Sequence, residues 1–481
     1  MTPRRVVVVG GGIAGLAAAH RVLEIGGARR EPVALALCEA RGHLGGTVGT
    51  ERTDGFLLER GADSFITEKP WALRLCQRLG LEPRLRSTDA RFRRVYVVHR
   101  RRLVALPEGF LLLAPTRLGP VLRSSLFSWP GKARMALDLV LPRGRDGGDE
   151  SLGAFVRRRF GPELLERVAQ PLAAGIYTGD PERLSLAATM PRFLALERDH
   201  RSVILGLRRT ASRGETATAA GARFGLFVTL AGGMGELVES LAVRLPPASI
   251  RLHASAVSVE REGSGGGWRV RLASGETVAA DGVILAGEAP RMASLVGDLD
   301  PALAARLRQV RYASSAAVAL AYPRGAIRHP LDAFGYVVPR VEGRATLACT
   351  FSSVKYPGRA PDGHVLLRVF LGGALDAGVL DRDDAELVRL AREDVGALLG
   401  VEGVPALNRV WRYRSAMPQY DVGHLDRVAA IDRHLAQLPG LRLAGAAYRG
   451  VGVADCVRSG EESAEAVLAA VSAKEGVRPT P

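Results

Sequence analysis

The 481-residue chain has only four cysteines, Cys38, Cys76, Cys349 and Cys456, and none stands at CxxC spacing. That argues against a zinc knuckle or a disulfide framework and suits a reducing compartment. Its nine histidines are dispersed, with no HExxH and no close pair, so no metal is expected. No stretch approaches about 18 uninterrupted apolar residues, so no transmembrane helix is expected either. The N-terminus enters a strand without a signal-peptide pattern. The expected location is the cytoplasm, with peripheral contact with an anionic membrane as an option. Negative charge is in deficit: the formal net charge is +16, and arginine dominates the excess. No RRM, zinc-finger or basic-region pattern accompanies it, so no nucleic-acid partner is expected. An acidic small substrate, anionic lipid, or plain GC-rich codon usage remain as sources of that excess.

Glycine, by contrast, is concentrated where it carries information. Val6 to Val9 form a β-branched run that meets Gly10-Gly11-Gly12-Ile13-Ala14-Gly15, and an alanine-rich helical stretch follows. Gly10, Gly12 and Gly15 fit GxGxxG: one glycine for the turn, one for close approach of a pyrophosphate, one for helix–strand packing. The helix that follows points unpaired N–H groups at such phosphates. A second strand, Val33 to Leu37, leads to Glu39, at roughly the 20-odd-residue separation expected of an acid that binds a ribose hydroxyl. Further glycine loops come at Gly45-Gly46, at Gly61-Ala62-Asp63-Ser64 and at Gly450-Val451-Gly452-Val453. Their serial order suggests several close approaches to one extended cofactor.

Between these loops the pattern changes. Trp71 to Leu81 looks helical, and Arg93 to Val98 reads as a basic-flanked strand with Arg100-Arg101-Arg102 at its turn. Leu103 to Leu141 carries apolar runs with basic and aromatic edges, broken by prolines, and reads as short helices. Ser151 to Leu207 is helical in period, Arg143 to Glu150 reads as a linker, and Arg208 to Arg223 reads as a loop. Candidate strands at 250–260, 268–272 and 283–286 follow a helical stretch at 236–244, with a glycine-rich hairpin at 263–267. Residues 290–415 mix strands (316–322, 334–339, 345–351, 364–371) with helices (301–309, 383–399). A strand at 441–445 and a closing helix at 455–472 complete the chain.

Several longer motifs fall in one order. They are Arg123 to Lys132 (RSSLFSWPGK), Asp149 to Gly153 (DESLG), Arg158-Arg159-Phe160-Gly161, Gln170 to Pro181 (QPLAAGIYTGDP), Met417-Pro418-Gln419-Tyr420, Gly423-His424, and Gly445 to Cys456. With them the sequence resembles, nearly end to end, the FAD-dependent protoporphyrinogen/coproporphyrinogen oxidase family, most closely its bacterial protoporphyrinogen oxidases. The resemblance implies an α/β fold: a Rossmann-like two-dinucleotide-binding-domain FAD domain from 1–85, 216–290 and 420–475, a helical membrane-facing domain at 86–215, and a mixed α+β substrate domain at 291–419.

It implies oxidation of protoporphyrinogen IX to protoporphyrin IX with O2 and release of hydrogen peroxide, in heme biosynthesis. Coproporphyrinogen III is the alternative substrate. A flavin amine oxidase or a flavoprotein without turnover are more distant readings, and an oligomer is left open. By position, Gly10, Gly12, Ile13, Ala14 and Gly15 would hold the pyrophosphate and Glu39 the ribose. Gly45, Gly46, Gly61, Ala62, Asp63 and Ser64 would run beside the ribityl chain and flavin, Val257 would meet adenine through its backbone, and Gly450, Val451, Gly452 and Val453 would approach the flavin. Arg94, with Arg93 beside it, would pair with a propionate, and Phe334, Gly335, Val337 and Phe370 would line the substrate pocket. Ala62 and Ala446 stand where the family often has Pro and Asn. No acid or base is assigned.

Overall fold

The computed structural model describes residues 3–111, 113–144, 148–212, 226–263 and 266–475. Its centre is a five-stranded parallel sheet ordered Ile250–Arg251, Val33–Cys38, Arg4–Val9, Gly282–Leu285, Leu441–Leu443. The valine run explains the position of the first strand. Val6 and Val8 enter one core, Val7 and Val9 the other, so both faces are buried and only an uninterrupted apolar strand fits. One face is covered by the helix Ile13–Arg29 and the closing helix Val453–Glu475. These two helices pack closely because Gly460 has no side chain: a Cβ there would run into the Ala14 carbonyl. The other face carries an antiparallel meander, Ala256–Glu262, Gly267–Leu272 and Thr277–Ala280, with the helices Ala289–Leu295, Pro301–Arg308 and His424–Ala436.

A second sheet has seven strands in the order Leu407–Pro418, Tyr312–Pro323, His364–Gly372, Thr346–Phe351, Gly335–Val337, Val95–His99, Arg102–Ala105. All its pairings are antiparallel except Gly335–Val337 with Val95–His99. Period-2 alternation divides its residues. Val318, Leu320, Leu367, Val369 and Phe351 pack under the helix Asp384–Leu399, while Ala317, Ala319, Arg368 and Phe370 belong to the other face. Two of its strands come from the segment 86–215: the strand expected at Arg93 to Val98 is there as Val95–His99, but it joins this sheet and not a helical unit of its own. Ladder partners decide this: Val95 and Val97 lie opposite Gly335 and Val337. Helix was also expected from Leu103 onward, but the strand Arg102–Ala105 and the short strands Phe110–Leu111 and Ala114–Pro115 precede the first helix at Leu118. The edge strand Leu407–Pro418 was also not anticipated; its alternating arginines obscure the apolar period.

Residues 118–212 are mostly helical around their own apolar core of Phe155, Phe160, Leu164 and Leu186. Serines start three of these helices, with Ser128, Ser151 and Ser185 hydroxyls accepting from the Gly131, Ala154 and Ala188 amides. The helix Val203–Ser212 occupies the start of the expected loop at 208–223; the rest of that loop, and parts of the expected 143–150 linker and 263–267 hairpin, lie outside the described residues. Among the described residues no helix is long and apolar enough to cross a membrane.

Candidate functional site

The glycine turn behaves as its spacing predicts. Gly10 has φ +105°, and a Cβ there would run into the Ala286 carbonyl; a Cβ on Gly15 would run into the Gly10 carbonyl. Gly12 differs: a Cβ there meets nothing within 4 Å. It is the N-cap of Ile13–Arg29 and offers no side-chain cap, so the first amides of that helix receive no capping side chain from it. Here the sequence leaves room for a ligand and supplies donors for an anion.

Glu39 is buried at the end of the second strand. Its Oε2 accepts from the Gly11 amide at 2.6 Å and its Oε1 from the Arg41 amide at 2.8 Å, which fixes the carboxylate beside the turn. Each oxygen keeps a lone pair for a hydroxyl. The Ala254 amide bonds the Glu39 carbonyl at 2.8 Å, which brings the next strand alongside. A register shift between Ala256 and Ser258 leaves Val257, three residues after Ala254, out of the ladder.

Gly45 bridges Gly12, its amide 2.8 Å from the Gly11 carbonyl, and Gly46 follows with φ +61°. Gly61 packs so close to Thr47 that a Cβ would collide with its carbonyl. Asp63 is anchored by the Lys355 ammonium at 3.0 Å and by the Ser64 hydroxyl at 2.7 Å. Burial works against its charged form, but Lys355 and Ser64 prevail and hold the carboxyl down at about 2. Such a group stabilises the fold at pH above its unfolded value near 4, and loses that contribution as pH falls toward 2. Lys355→Met is therefore expected to move acid-induced flavin release to higher pH, measured by flavin fluorescence across an acid titration; an unchanged midpoint would separate the loop from this ion pair.

The last glycine turn is held from a distance. The Tyr420 hydroxyl donates to the Ala446 carbonyl at 2.6 Å and accepts from the Gly450 amide at 2.7 Å, and its ring stacks on buried His424 at 3.9 Å. His424 Nε2 is 2.8 Å from the Tyr448 carbonyl. Asp149 reaches the same corner, accepting from the Gly423 amide at 2.8 Å and the Ser185 hydroxyl at 2.7 Å. The Ser185 amide in turn donates to the Tyr420 carbonyl. Gln419 Nε2 donates to the Tyr177 carbonyl at 3.0 Å, so three separated motifs, around Asp149, Gln170–Pro181 and Gln419–His424, meet beside Tyr420, which holds the Gly450 turn ahead of the closing helix. Sequence reasoning quoted these motifs but gave Tyr420 and Asp149 no role.

On the second sheet Val97, Val337, Ala348, Phe370, Ala317 and Trp411 are consecutive ladder partners and form one row across the face that meets the helical segment and the flavin loops. Gly335 stands in the neighbouring row beside Thr350 and Arg368, with φ +149°, where a Cβ would run into the Cys349 carbonyl. Phe334, half-buried, enters that strand with its amide on the Arg94 carbonyl. The helix Gln170–Tyr177 is pinned beside the row, with the Gln170 side-chain oxygen accepting from the Arg340 amide at 2.9 Å and Leu172 packing in the same cluster as Val337 and Phe370.

Arg94 does not join this row. Alternation sends it with Tyr96 to the opposite face, where both bond Asp332, Arg94 at 3.1 Å and the Tyr96 hydroxyl at 2.8 Å, and Arg94 is largely exposed. Arg93 is exposed as well. The sequence places both arginines near the pocket; the strand's period turns Arg94 away. Arg94→Ala is accordingly expected to leave KM and kcat within about twofold of the parent in steady-state assays. A KM increase well beyond that would restore its expected role.

Residues 13–468 match the family described as flavin containing amine oxidoreductase. A coproporphyrinogen III oxidase of Bacillus subtilis is 35% identical over 466 residues, 97% of this chain and 98% of that protein. One from Propionibacterium freudenreichii is 38% identical over 494 residues, 97% and 91% of the two chains. The chain belongs to the porphyrinogen oxidases of the flavin-containing amine oxidoreductase family. A crystal structure from Exiguobacterium sp. 255-15, provisionally assigned as a protoporphyrinogen oxidase, superposes with TM-score 0.84 at 30% identity, covering 99% and 100% of the two chains. The enzyme is an oxidoreductase with FAD as cofactor and a porphyrinogen as the class of substrate. The residues fit FAD: open space at Gly12, a helix start without a capping side chain, and a fixed carboxylate at Glu39.

Proposed function

We propose that the enzyme oxidises coproporphyrinogen III to coproporphyrin III, in place of the protoporphyrinogen IX expected first from the sequence. One observation carries this reading: both of the curated relatives compared above, which align with nearly the whole chain, are coproporphyrinogen III oxidases. The substrate loses six hydrogens in three two-electron steps, each a hydride and a proton, and three O2 become three H2O2. FAD, when bound, supplies the hydride acceptor and the route of electrons to O2.

The protein's own groups bind and orient. Ile13 and Ala14 present amides to the pyrophosphate over Gly10, Gly12 and Gly15, Glu39 takes ribose hydroxyls, and the Val257 backbone takes adenine. Gly45, Gly46, Gly61, Ala62, Asp63 and Ser64 line one side of the cofactor, and Gly450, Val451, Gly452 and Val453 line the other. Val337 and Phe370, with Phe334 and Gly335 at their edge, form an apolar wall against the flat macrocycle. No side chain in the row from Val97 to Trp411 titrates, so the pyrrole protons are assigned to solvent. The enzyme should turn over coproporphyrinogen III with kcat/KM at least about tenfold above protoporphyrinogen IX when porphyrin fluorescence and peroxide are followed in parallel. Equal or reversed values would return the reading to protoporphyrinogen.

The helical segment supports a peripheral membrane contact. Trp129 is 70% exposed, with Leu122, Leu137 and Val140 exposed near it and Lys132 4.5 Å from the Trp129 ring centre. Trp129→Ser should weaken co-sedimentation with anionic vesicles by about threefold or more, and equal pelleting of both proteins would remove this contact.

A further inference from the structure

We propose that the space between the hairpin Thr50–Thr53/Phe56–Glu59 and the seven-stranded sheet is a binding site for one monatomic anion, of chloride size, held by Arg359 and Arg368. Both arginines are more than nine-tenths buried, Arg359 at 3% and Arg368 at 7% exposure, and both line this space together with Glu59, Asp63, Ser352 and Tyr356.

Their hydrogen bonding is incomplete on this side. Arg359 Nη2 pairs with Glu59 Oε1 at 3.0 Å and donates to the Thr229 hydroxyl at 2.6 Å, but Nη1 has no partner among the described residues. Arg368 Nη2 donates to the Arg60 carbonyl at 2.9 Å, its guanidinium stands 4.9 Å from the Phe370 ring centre, and Nε has no partner. The charges do not balance. Glu59 is taken by Arg359, and Asp63 pairs with Lys355 and feels Arg368 only at longer range, so Arg368 has no carboxylate at ion-pair distance among the described residues.

A buried cation left unpaired is costly, and a buried donor left unpaired adds to that cost. A water would satisfy the donors but not the charge; an anion satisfies both. The space admits a body about the size of a water or a chloride ion, which disfavours sulfate, phosphate or a carboxylate. The site lies on the sheet side of the Asp63 loop and does not depend on which porphyrinogen is oxidised.

Crystals of the FAD-loaded enzyme soaked in bromide should show an anomalous peak in contact with both Arg359 and Arg368. In solution, the melting temperature of the same holoenzyme should rise saturably, by about 2 °C, when gluconate is replaced by chloride or bromide at constant ionic strength. Arg368→Met should abolish that rise. No bromide between the two arginines, or equal melting in gluconate and chloride, would overturn the site in favour of water, and neither measurement requires the variant to fold. A halide-dependent rise that persists in a folded Arg368→Met protein would overturn it as well.

Discussion

Gly12→Ala should give a folded protein that no longer retains FAD. The space around Gly12 is open and its backbone, φ −69° and ψ 176°, is one that any residue adopts, so the added methyl strains nothing in the protein itself. What it occupies is the approach to the first helical amides, where the pyrophosphate has to come within hydrogen-bond distance. FAD affinity should fall about 100-fold or more, measured by titrating the flavin-free protein, while the melting temperature of the flavin-free form stays within about 2 °C of the parent. Gly15→Ala is the counterpart. Its methyl would run into the Gly10 carbonyl, so that variant should lose stability before any ligand is added. If Gly12→Ala bound FAD as the parent does, the pyrophosphate would have to lie elsewhere. If Gly12→Ala and Gly15→Ala unfolded alike, the open space at Gly12 would carry no functional meaning.

That contrast shows how far the glycine pattern could be read. Spacing alone assigns Gly10, Gly12 and Gly15 to one motif, but only the packing tells the two structural glycines from the one facing a ligand. The valine strand and its parallel neighbours were legible because a run buried on both faces has few alternatives. The strand at Val95–His99 was legible, but not the sheet it joins, because a partner more than 200 residues away leaves no local trace; Val97 finds Val337 only in the folded chain. Arg94 was misread for a related reason. Its charge suggested a propionate, but side-chain direction in a strand follows register, and register puts Arg94 with Tyr96 and Asp332. Tyr420 was visible as part of a motif without a task, because a hydroxyl bridging the Ala446 carbonyl and Gly450 amide across some 30 residues is a tertiary fact.

Phe370→Ala should lower kcat/KM for the porphyrinogen by about 10- to 100-fold, mostly through KM, with flavin content unchanged. Phe370 lies between Ala348 and Ala317 in the row of ladder partners, so it is the one large side chain among small neighbours at the middle of that wall. It is half-buried rather than sealed in the core, which leaves ring surface for a flat apolar ligand. Burying an aromatic ring against such a ligand is worth roughly 1.5–3 kcal/mol, which sets the expected fold-change. The contact is made in ground state and transition state alike, which is why KM should move more than kcat. The wider sheet should tolerate the change, since Ala348 and Ala317 already show that small residues are accommodated on this face. Ala348→Trp tests the same wall from the other direction: its indole fills the space beside Phe370, and activity should fall at least as far with FAD still bound. Parent-like KM values in both variants would move the porphyrinogen off this face of the sheet, whereas loss of flavin in either would mean that the row supports the cofactor rather than the substrate.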